Sequence, residues 1–322
     1  MNPLSEILTQ WQTHEIVSPA SAETIKQAEN TRPVSLYSLL RNLLYIGLVL
    51  FTSGAGMLVY LHIDTIGHDA LIVVLALLTL GCFFYTYRHS SPFSISEVNS
   101  EGKFVDFVLL LGALLFLSLE GYAQWRYSLF GTRYGLAAFL PAVVFIFCAY
   151  RFDHRGVLSM GLTALASWVG LSIAPLEVLT GNDFGSSQII NTAVGFALVV
   201  GGVSFGLAHR GIKTHFTDTY LILTGNLFFI GALAGLFTSG YWFLYALLIA
   251  GCCTFFVWYA RQKQSFIFLL MAILYGYIAF TYLLFSKIGD AGSWMVFTGF
   301  YFLASAGGVV MFILNYKKWL TN

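Results

Sequence analysis

From Leu39 to the C-terminus, long apolar runs alternate with short polar punctuation, and each run is about as long as the helix that crosses a ~30 Å hydrocarbon core. Ten spans are predicted, at about 39–61, 71–87, 104–120, 134–150, 157–173, 189–208, 216–237, 241–259, 266–285 and 294–316. Backbone groups in lipid find no water, so each span is expected to be a helix. A transmembrane barrel would need segments of about ten residues with alternating polarity, and the chain lacks them. The expected fold is all-α: a polytopic transmembrane helix bundle, its spans arranged as serial hairpins.

The first 38 residues are polar and show no early apolar core of a cleavable signal. Within them Leu4, Ile7, Leu8 and Trp11 follow the i, i+3, i+4, i+7 spacing of an amphipathic helix. A second short helix is predicted from Ser18 as N-cap, with Pro19 at the first helical position, to about Asn30. The expected organisation is a cytoplasmic helical leader, 1–38, followed by a ten-helix transmembrane domain, 39–322. The leader is the segment expected to meet a protein partner.

Charge sets the orientation. Only 10% of the residues are charged, against about a quarter in soluble domains. Several runs end in aromatics followed by cations: "FFYTYR", "FCAYR", "FGLAHR", "FVWYAR" and "FILNYKK". Placing the connections on alternate sides puts thirteen of the sixteen Lys and Arg on one side and only Arg126, Arg133 and Lys287 on the other. Cations stay on the cytoplasmic side during insertion, so both termini are expected there. A net charge of +1 points to no nucleic-acid partner. The four cysteines all lie in apolar runs, where no disulfide is expected.

The leader "LSEILTQWQTHEIVSPASAETIKQAEN", the glycine-rich first span "LLYIGLVLFTSGAGMLVYL" and the stretch "LLLGALLFLSLEGYAQWRYSLFG" resemble the bacterial membrane-protein family called domain of unknown function 2157. The resemblance runs over about residues 4 to 170. It implies a helical leader, a glycine-rich first span and serial hairpins, and it brings no established activity.

Ionisable residues inside a span are costly, so each one present is a candidate site. Asp106 and Asp218 sit at helix starts, where an acid complements the dipole. Glu120, with Tyr122 and Gln124 close by, is a candidate for lining a pocket that opens outward; the alternative is an interfacial carboxylate paired with Arg126. Asn226, in the middle of its span, needs a ligand or another helix as partner. "HIDTIGHD" gathers His62, Asp64, His68 and Asp69 but lacks the spacing of a zinc hydrolase, and "RFDHR", 151 to 155, reads as a basic inner turn. Glycine pairs in "GALAG" (Gly231, Gly235), "GVSFG" (Gly202, Gly206) and "SGAG" predict close helix approach.

No phosphate-cradling loop, nucleophile elbow or zincin motif is present, so no catalytic residue, metal or cofactor is expected. The first functional reading is a non-catalytic membrane module: a scaffold, sensor or assembly partner. The alternative is a secondary transporter or small-solute binder using Glu120, Tyr122, Gln124 and Asn226. A third is a lipid-acting enzyme at "RFDHR", which would require Asp106 or Asp218 to come close.

Overall fold

A computed structural model describes residues 17–30, 37–61, 67–98, 103–131, 133–173, 186–288 and 294–321. Among these there is no strand. The helices are α1 (Pro19–Asn30), α2 (Tyr37–Leu61), α3 (His68–His89), α4 (Lys103–Tyr127), α5 (Tyr134–Phe152), α6 (Arg155–Ile173), α7 (Ser187–His209), α8 (Thr217–Thr238), α9 (Trp242–Lys263), α10 (Phe266–Ile288) and α11 (Trp294–Thr321), with a 3-10 turn, Thr214–Phe216, leading into α8. The chain forms two compact units, Met1–Leu61 and His62–Asn322.

In the smaller unit, α1 starts where its cap predicts. The Ser18 hydroxyl accepts the Ser21 N–H at 3.2 Å, and Pro19 takes a position that has no N–H to satisfy. The amphipathic stretch Leu4 to Trp11 lies outside the described residues. α2 covers the first predicted span.

Each helix of the larger unit falls on one predicted span, with α4 running on past its predicted end at 120 to Tyr127 and α11 past 316 to Thr321. Among the described residues seven stretches are long and apolar enough to cross a membrane: His68–His89, Phe104–Tyr127, Gly135–Phe152, Ser187–His209, Thr214–Thr238, Trp242–Lys263 and Phe266–Ser286. Large apolar side chains such as Phe84, Phe147 and Val199 point outward, as a lipid-facing surface requires. The protein is therefore a multi-pass membrane protein.

The closest helix pairs are α3 with α4, α5 with α6, α7 with α8, and α9 with α10. Each pair is a hairpin closed by one of the Lys/Arg-bearing connections. Small residues permit the approach: a Cβ on Gly112 of α4 would come within 2.9 Å of the Cys82 Cβ on α3. α8 is the central helix, touching α6, α7, α9 and α10. Its Phe229 is fully buried and stacks on Tyr275 of α10 at 4.7 Å between centroids.

The glycine pairs divide. Gly231 faces Ala193 and Val194, and a Cβ on Gly235 would lie 2.5 Å from the Tyr245 ring, so "GALAG" does bring helices together. Gly202 and Gly206 face open space. Spacing alone does not reveal which side of α7 meets a neighbour, and here the pair falls on the unpacked side.

Candidate functional site

Glu120, Tyr122 and Gln124 lie near the end of α4 that is away from the basic connections, and Asn226 lies on α8. Tyr122 and His68 of α3 share a hydrogen bond at 2.5 Å, and the Tyr127 hydroxyl donates to Asp69. Gln124 Oε1 accepts the Phe130 N–H at 2.9 Å and closes the turn after α4. Of the metal-capable quartet, His62 and Asp64 lie outside the described residues, while His68 and Asp69 are the tyrosine partners just named. No group of three metal-capable side chains occurs among the described residues.

Asn226 is satisfied within the bundle. Its Nδ2 donates to the Ile222 carbonyl at 2.7 Å, and its Oδ1 accepts the Tyr275 hydroxyl of α10 at 2.6 Å. The same device joins Tyr245 to Asn191 at 2.7 Å and Tyr277 to Ser305 at 3.1 Å. These are interhelical bonds of the kind that holds membrane helices together. Glu120 differs: it is 9% exposed, and its Oε1 is buried with no partner. The pairing with Arg126 is not formed, since Arg126 is exposed and lies over the Tyr127 ring at 5.8 Å.

The strongest polar arrangement is at "RFDHR". Asp153 ends α5 in the left-handed conformation (φ 59°, ψ 43°), and Lys213, before the 3-10 turn, is left-handed as well (φ 44°, ψ 52°). Such backbone is unusual for non-glycine residues and persists where surroundings impose it. The surroundings are each other. Lys213 Nζ meets Asp153 Oδ2 at 2.8 Å, with the two side chains only 1% and 5% exposed. His215 Nε2 meets Asp153 Oδ1 at 2.5 Å, and the Val98 N–H donates to Oδ2 at 2.6 Å. Lys213 also donates from its backbone to the Ile95 carbonyl at 2.9 Å and from Nζ to the Ser96 carbonyl at 3.1 Å. Three connections, after α3, α5 and α7, are thus tied at one carboxylate.

Burial opposes the charge on Asp153, but the hydrogen bonds from Lys213 and Val98 and the charges of His215 and Lys213 outweigh it. The carboxyl is held below its ordinary value. Burial pushes the His154 imidazole below its ordinary value against the opposing pull of Asp106, and its Nδ1 accepts the Val157 N–H at 3.1 Å, capping α6. Asp106 and Asp153 border the same void, which has a volume of about 30 Å³, room for a water or two. Asp218 is elsewhere, accepting the Tyr259 hydroxyl at 2.9 Å. Lys213 and His215 were invisible as partners in the sequence. They stand some sixty residues from Asp153, in a connection whose cation reads as wet.

The roomy cavity lies between α6, α7 and α8. It measures about 520 Å³ and is lined by groups such as Val169, Leu171, Ile190, Phe196 and Ile230. A second void of about 200 Å³ shares Thr163, Ala166, Phe196, Leu227 and Ile230 with it. The Ser167 and Thr224 hydroxyls in these walls donate to carbonyls of their own helices at 2.9 and 2.8 Å. Glu120, Tyr122, Gln124 and Asn226 line neither of these cavities nor the small void at Asp153.

Residues 9–158 match the family described as Predicted membrane protein (DUF2157). Over that stretch, just under half of the chain, the sequence is similar to this family. The DUF2157 match starts in the leader, takes in α1 to α5 and ends in the first turn of α6. It includes Asp153 and stops before Lys213 and His215, so the buried cluster joins the matched part to the chain beyond it. No curated protein and no solved structure matches this chain.

Proposed function

We propose that this protein is a non-catalytic module of the bacterial cytoplasmic membrane, acting as a scaffold, sensor or assembly partner, with both termini in the cytoplasm. The orientation follows from the sequence, where placing the connections on alternate sides gathers thirteen of the sixteen cations on one side. One observation carries the functional reading. Among the described residues the most polar buried constellation centres on Asp153, whose two oxygens are both taken by Lys213, His215 and the Val98 N–H, and it stands beside space for only a water or two. The Asp153 carboxylate is committed to holding three connections in place. The leader, 1–38, is the segment this reading assigns to a protein partner.

The experiment is affinity purification of the full chain, and of the chain lacking residues 1–38, from native membranes in mild detergent. A partner retained in fixed stoichiometry by the full chain and lost with the leader is the expected result. Saturable, protein-dependent solute uptake by proteoliposomes would overturn the reading. If that uptake were lost in Asn226→Leu, the transporter alternative would replace it.

A further inference from the structure

Glu120 is a carboxyl with no visible reason to be where it is. It lies on α4 seven residues before the helix ends at Tyr127, about 10 Å along the axis, and thus within the membrane-crossing stretch. Its Oε1 has neither solvent nor a hydrogen-bond donor. The buried residues on its side of the helix, Leu109, Ala113 and Ala123, are apolar. An ionised carboxylate at such a place is strongly disfavoured, whereas the neutral acid tolerates it.

The charged and titratable neighbours do not relieve it. From α3, His68 and Asp69 are committed to Tyr122 and Tyr127. On α4 itself Arg126 lies exposed over Tyr127. α5 contributes Arg133 at its N-cap, with Cys148, Tyr150 and Arg151 at its far end. α6 has Arg155 at the opposite end and no other ionisable side chain. No ion pair to Glu120 occurs among the described residues.

We propose that Glu120 is a proton-binding site, carrying its proton within the membrane at neutral pH, and that this makes it a modification site for a membrane-permeant carbodiimide. The acid proton passes to one carbodiimide nitrogen as the carboxyl oxygen adds to the central carbon, giving an O-acylisourea. The acyl group then shifts from oxygen to nitrogen to give a stable N-acylurea. No atom leaves and no further reagent is consumed. Exclusion of water and amines protects the first adduct long enough for the shift. This goes beyond the module reading and does not depend on it, because a proton site can serve a sensor or a carrier alike.

The test treats the full chain in native membranes with dicyclohexylcarbodiimide and, separately, with a water-soluble carbodiimide plus an amine nucleophile, mapping adducts by peptide mass spectrometry. The expected result is one carbodiimide mass at Glu120 with the hydrophobic reagent, at least tenfold less modification with the soluble one, and labelling that falls as pH rises. Equal labelling by both reagents, or no labelling at Glu120 by the hydrophobic one, overturns the proposal. Glu120→Gln, neutral and nearly isosteric, is expected to unfold within about 2 °C of the parent. A drop of many degrees would show that the ionised group was being held by partners, and would also overturn it.

Discussion

Asp153 and Glu120 are both buried carboxyls of the larger unit, and their surroundings are opposite. Asp153 has a cation, an imidazole and a backbone N–H on its two oxygens, all supplied by connections far away in sequence. Glu120 has a buried oxygen that meets nothing. Burial alone therefore does not decide whether an acid is a charge or a neutral group. The partners do, because desolvation works against the charge in both places and only Asp153 has interactions that exceed it.

The sharpest way to break this contrast is Asp153→Asn. It leaves Lys213 buried without a counter-charge, and removing one partner of such a pair costs about 3–5 kcal/mol. Chemical or thermal unfolding in detergent should show a loss of that size, and Asp153→Asn with Lys213→Met should recover most of it. The pH dependence follows from the depressed carboxyl. A group that ionises more readily in the folded state stabilises it above its ordinary value, about 3.9 for Asp. The stability gap between parent and Asp153→Asn should be flat from pH 8 to pH 5, then narrow as pH falls below about 4. A gap that instead closed near neutrality would assign the stabilisation to a different group.

A smaller effect is expected where polarity is neutral and paired. Asn226→Leu removes the bond to Tyr275, and such interhelical bonds are worth about 0.6–2 kcal/mol. Smallest of all is Arg155→Ala. Its ion pair with Glu97 at 2.9 Å has both side chains more than half exposed, so a change below about 1 kcal/mol is expected on unfolding. If the Arg155 variant lost as much as Asp153→Asn, the distinction between buried and exposed charge at this end would fail.

Helix positions were legible because hydrocarbon thickness imposes a run length on the sequence, and every helix of the larger unit falls on a predicted span. The α1 cap was legible because Ser18 and Pro19 act on their own neighbours. Hairpin pairing followed from the cation-bearing connections. Among the candidate residues, Asn226 was legible as a group that needed a partner, though not which one. Glu120, Tyr122 and Gln124 were visible as polar groups near a span end, though not His68 and the Phe130 N–H as the partners of Tyr122 and Gln124.

By itself, then, the sequence determined what is local or periodic: an all-helical, multi-pass chain with capped helices and basic hairpin turns. Only the tertiary structure decided which groups share a site. Lys213 and His215 meet Asp153 because three connections converge at one end of the bundle, and Gly235, unlike Gly202, meets a partner helix because of how each helix is rotated. The physical reason is range. Hydropathy and capping act over a turn or a membrane thickness of contiguous chain, whereas a buried charge is settled by groups that only packing brings within 3 Å.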